Sequence, residues 1–69
     1  MMILLKDLHG NEFHLNIDLI ESILERQGNT SEIVLINGKR YSCIESPRYV
    51  SNKINLTKIA NQLGNIQST

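Results

Sequence analysis

The sequence is short of most of what identifies a chemistry. Among its 69 residues there is no Trp, one Phe, two Tyr, one Cys and one Pro, and aromatics make up only 4% of the chain. With so few rings the core must be built from Ile, Leu and Val, and there are no interleaved aromatics to offer base-stacking platforms to a nucleic acid. The single thiol, Cys43, excludes an intramolecular disulfide and a cysteine-based metal site. Seven basic residues balance seven acidic ones, so no net field draws the chain toward polyanions or anionic membranes. The four glycines are isolated from one another, which rules out a phosphate-cradling loop. Nothing reaches the length of a membrane span, and Met1 to Leu5 is too short for the apolar core of a signal peptide. A cytoplasmic protein is expected.

The strongest signal present is Ile33 to Ile44, two β-type runs around Asn37-Gly38. A two-residue loop would set Tyr41 opposite Val34. A three-residue loop of Ile36, Asn37 and Gly38, with Gly38 in the left-handed region, sets Tyr41 opposite Ile33 and gathers Ile33, Leu35, Tyr41 and Cys43 on one face. The second register is preferred. Residues 3–8 and 12–17 form a similar hairpin around Gly10, pairing Leu5 with Phe13 and Ile3 with Leu15. Between the hairpins, Asn16 to Leu19 reads as one turn and Ile20 to about Arg26 as a strand that turns at Gln27 to Thr30 into the next. The helical spacing of Leu19, Ile20, Ile23 and Leu24 keeps a short helix over Asp18 to Glu25 as the alternative.

Ser46 then caps a helix that has Pro47 at its first position. Val50, Ile54, Ile59, Leu63 and Ile66 recur roughly every four residues along it, with fraying expected from Gly64 and a disordered tail at 67–69. The expected fold is α+β: a small antiparallel sheet of about five strands built from hairpins, followed by one C-terminal helix, as a single domain over residues 1–66.

No constellation points to catalysis. His9, His14, Asp7 and Asp18 are spread over a turn and a wet face with no third ligand nearby. Ser42, Cys43 and Ser46 lack an adjacent base and an oxyanion donor, and Cys43 reads as a small buried hydrophobe. A non-enzymatic protein without cofactor or metal is expected. Two surface groupings are candidates for contacts: the basic set Lys39, Arg40, Arg48, Lys53 and Lys58, and the second apolar face of Val34, Ile36 and Ile44. A strand that is apolar on both sides in so short a chain predicts self-association or a protein partner. The candidate interaction residues are Val34, Ile36, Lys39, Arg40 and Arg48.

Several pieces in fixed order resemble the small flagellar-associated FlbD family, also called the swarming motility SwrD family. They are the Met-Ile-Leu-Leu start, Gly10 with Phe13, the run from Leu15 to Ile23, the Ile33 to Lys39 hairpin with Tyr41, and Glu45-Ser46 followed by Val50, Lys53 and Ile54, covering residues 2 to about 55. The resemblance implies a cytoplasmic, non-enzymatic protein that supports flagellar motility through contacts with a motor or assembly component. Two other classes stand beside it: a small nucleic-acid-binding regulatory β domain, and a regulatory or phage interaction module.

Overall fold

Two loops of the same chemistry set the register of the β part. In the computed structural model, which describes the backbone of residues 1–67 and the side chains of residues 1–63, Gly10 and Gly38 have φ of 84° and 87°. Each closes a three-residue loop. Asp7 N–H donates to Asn11 O (2.8 Å) and Gly10 N–H to Asp7 O (3.0 Å); Leu35 N–H donates to Lys39 O (2.8 Å) and Gly38 N–H to Leu35 O (2.9 Å). A side-chain acceptor rigidifies each loop, as Asp7 Oδ1 takes the N–H of His9 and of Asn11 while Asn37 Oδ1 takes that of Lys39.

Strand β1 (Met2–Lys6) pairs antiparallel with β2 (Glu12–Asn16), Leu5 opposite Phe13 and Ile3 opposite Leu15. A second sheet of three strands has the order β3 (Ile20–Arg26), β4 (Thr30–Leu35), β5 (Arg40–Cys43), with Ile33 opposite Tyr41. The five strands are therefore divided between two sheets rather than joined in one. Two short bonds extend the hairpin ladders, Ile17 N–H to Met1 O beyond β1–β2 and Ile36 N–H to Leu19 O beyond β3–β4, and one joins the sheets, Ile44 N–H to Lys6 O, all between 2.8 and 3.0 Å.

The ambiguous middle segment is a 3₁₀ turn over Ile17–Leu19, with Asn16 Oδ1 accepting from Asp18 N–H, followed by strand β3; there is no helix over Asp18 to Glu25. A bulge between Ile20 and Ser22 explains the helix-like spacing. Ile20 lies opposite Leu35 and Ile23 opposite Ile33, and the extra residue, Glu21, lets two isoleucines three positions apart reach the same core from one strand. The β3–β4 turn uses two left-handed residues, Gly28 (φ 73°) and Asn29 (φ 60°).

Between the sheets lies a core of Ile3, Leu5, Leu15, Ile17, Ile33, Leu35, Cys43 and Val50, all buried, with Phe13, Ile20, Ile23 and Ile54 at its margin. Tyr41 sits at the rim and stacks on Phe13, ring centroids 5.8 Å apart. Helix α1 (Pro47–Gln67) begins at Ser46, whose Oγ accepts from Tyr49 N–H (3.2 Å). The helix passes through Gly64 without a break up to Gln67, so the fraying expected there is absent from the backbone; Gln67, expected in a disordered tail, is helical, and Ser68 and Thr69 lie outside the described residues. Only its first half meets the sheets. Val50 is buried, and Lys53, Ile54 and Thr57 are partly so, whereas every side chain from Lys58 to Leu63 is exposed. The molecule is accordingly elongated, 44 × 23 × 19 Å.

Candidate interaction surface

The outward face of the three-stranded sheet carries the most organised charges. Glu32 on β4 accepts on one oxygen, Oε1, from Arg26 (2.7 Å) on β3 and from Arg40 (2.9 Å) on β5, so three neighbouring strands are tied by one carboxylate. Hydrogen bonds from Arg26 first, and then from Arg40, hold the Glu32 carboxyl below its ordinary pKa. Arg40 is thus a cross-strand tie with its charge already matched. The partner register also explains Val34. It lies between Ser22 and Arg40 on the same outward face, and it is buried although it does not belong to the core cluster.

The other basic residues do not form one patch. Lys53 reaches back from α1 to donate to the carbonyl of Leu4 on β1 and lies over the Tyr49 ring, 5.5 Å from its centroid, so its ammonium fastens the helix to the sheet. Lys39 is exposed at the β4–β5 hairpin tip beside Ile36, which is 62% exposed. Arg48 is exposed on the first turn of α1 and lines an open cleft of about 580 Å³ together with Ile23, Glu25, Asn29, Ser46 and Pro47. Ile44 is exposed at the end of β5. Of the five candidate residues, Ile36, Lys39 and Arg40 share the β4–β5 hairpin, Arg48 stands apart on α1, and Val34 is enclosed.

The residues with nucleophilic or acid/base side chains have structural duties. Cys43 is fully buried, with Sγ 3.8 Å from the Glu45 carbonyl; burial first, and then the Glu45 charge, pushes its thiol pKa up, away from the thiolate form that reacts. Ser46 caps α1. Ser31, fully buried, donates to Glu45 O (2.7 Å), and the Glu45 carboxylate accepts from Lys6 N–H (3.2 and 3.3 Å). Residues 44–46 are therefore stapled to β1 and β4, which fixes the angle at which α1 leaves the sheets. Asp7 is held below its ordinary pKa mainly by the N–H of Asn11. Among the described residues no group of three His, Cys, Asp or Glu side chains is placed to hold a metal, and no helix is long and apolar enough to cross a membrane.

Sequence reasoning missed two features of this fold. Ser31 gave no signal, since a serine in a strand reads as exposed. On the outer half of α1, the four-residue spacing groups the exposed Ile59 and Leu63 with the core-facing positions and passes over Leu56.

No curated protein and no solved structure matches this chain. A family model does: that of FlbD, described as flagellar and swarming motility proteins, matches residues 2–60. That span takes in both sheets, the stapled junction and the part of α1 that packs on them, and it reaches slightly beyond the stretch over which the sequence resemblance runs. The chain belongs to the FlbD family of flagellar and swarming motility proteins.

Proposed function

We propose that this protein supports flagellar or swarming motility as a non-enzymatic cytoplasmic adaptor that binds a motor or assembly component through the β4–β5 hairpin. The family match over residues 2–60 carries the motility role. The choice of surface is supported by Ile36, a large apolar side chain 62% exposed at the hairpin tip, with exposed Lys39 closing the same loop. An apolar anchor beside a cation suits a protein partner with an apolar pocket and an acidic margin. The absence of an activated nucleophile at Cys43 and the capping role of Ser46 support a binding role over a catalytic one.

The test is genetic and biophysical together. In a flagellated host, deletion of the gene should impair swarming and leave growth intact. Ile36→Asp and Lys39→Glu should reproduce the defect with melting temperatures close to that of the parent protein. Normal swarming in the deletion strain would sink the proposal. So would RNA or DNA binding that weakens steeply between low and physiological salt, the mark of counterion release, which would move the protein to the nucleic-acid class.

A further inference from the structure

The outer half of α1 bears an apolar stripe that nothing in the described chain covers. Leu56 is 67% exposed, Leu63 53% and Ile59 51%, and Tyr49, in the first turn of the helix, is 51% exposed. Together with Asn52 they occupy positions 49, 52, 56, 59 and 63, the alternating three- and four-residue steps of a two-stranded coiled-coil seam. At about 100° per residue, the centre of this stripe is roughly 140° around the helix from the arc of Val50, Ile54 and Thr57 that meets the sheets. A second helix laid along the stripe would find the sheets out of its way.

The flanks of the stripe narrow the choice of occupant. Residues 47–67 include no acidic side chain, and Arg48 and Lys53 flank only its first turn; farther along, the flanking positions are Asn55, Ala60 and Gln62. An anionic membrane surface is met by helices whose polar face is rich in Lys and Arg, and an acidic protein calls for cations beside the seam. Flanks that are uncharged beyond the first turn match neither, and over that length they do not repel an identical helix. Covering the four large side chains would remove on the order of 400 Å² from water per copy, about half of what each partner contributes to a standard interface, which suits a reversible dimer.

We propose that this stripe pairs with the same stripe of a second copy of the chain, forming a two-helix seam through Tyr49, Asn52, Leu56, Ile59 and Leu63. The inference stands independently of the motility reading, since it concerns association of the pure protein. Sedimentation velocity of the full chain, from about 1 to about 300 μM, should show a monomer–dimer equilibrium that shifts with concentration. Leu56→Glu should weaken it by at least about tenfold with far-UV circular dichroism unchanged, because Leu56 contributes nothing to the core. Lys58→Glu, on the side of the helix away from the stripe, should leave association as it was. A parent protein monomeric throughout that range overturns the proposal, as does a dimer that Leu56→Glu leaves intact. Recruitment of a monomeric parent protein to phosphatidylglycerol vesicles would likewise overturn it, assigning the stripe to a membrane surface.

Discussion

At the scale of single residues, the two loop glycines and one carboxylate carry testable weight. A Cβ at Gly38 would meet nothing within 4 Å, so crowding is no objection to a side chain there. The cost lies in its φ of 87°: Gly38→Val should destabilise the protein by about 1 kcal/mol or more, because a β-branched residue tolerates that region poorly, and urea denaturation would show it. Glu32 supplies a pH dependence whose sign is fixed by its two arginines. Its pKa is depressed in the folded chain, so its stabilising contribution is present above the ordinary glutamate range and is lost as the pH falls through the folded value below that range. Glu32→Gln should flatten that part of the acid-stability profile, read as melting temperature against pH. The loop glycines were legible in the sequence because positive φ has few occupants. The double tie at Glu32 was not, since it requires three strands in register at once.

At the scale of elements, the hairpins and the helix differ in how they could be read. Alternation and turn residues fixed the pairing of Ile33 with Tyr41 and of Leu5 with Phe13, because a slip by one residue would turn Phe13 and Ile33 out to water. The bulge at Glu21 hid the strand character of Ile20 to Leu24 by giving core residues a step of three. In α1, spacing reported that Val50, Ile54, Ile59 and Leu63 recur, but periodicity does not say what each position faces. Only Val50 and Ile54 meet the sheets. Measured in dilute solution, Val50→Ala should therefore cost about 2 kcal/mol as a buried side chain is truncated, while Leu56→Ala should stay within about 0.5 kcal/mol. Equal losses at the two positions would contradict the packing described for this helix.

The whole molecule is small enough that one core is marginal, and its parts contribute unequally. Both sheets, the Glu45 junction and the seated turns of α1 lie before residue 61. A chain ending at Ala60 should keep its cooperative melting transition, within a few degrees of the full chain, and lose its concentration-dependent association. Collapse of that transition on truncation would place the outer turns of the helix within the folding unit. The fold class was readable from sequence as a succession of hairpins and a capped helix, but its division into two sheets was not, because the bond that joins Lys6 to Ile44 across them leaves no local pattern.

The burial of Cys43 makes the protein its own reporter of opening. It is the only thiol in the sequence, it is fully buried at the centre of the core, and its environment disfavours the thiolate. A disulfide reagent can reach it only in molecules that have transiently opened, so when closing outpaces labelling the rate of modification measures the population of open forms directly. The slow background reaction of the parent chain should quicken by roughly thirtyfold in Val50→Ala, the factor that about 2 kcal/mol implies, and stay unchanged in dilute Leu56→Ala. Core and periphery would then be separated without denaturant, on native protein, by the kinetics of one sulfur atom.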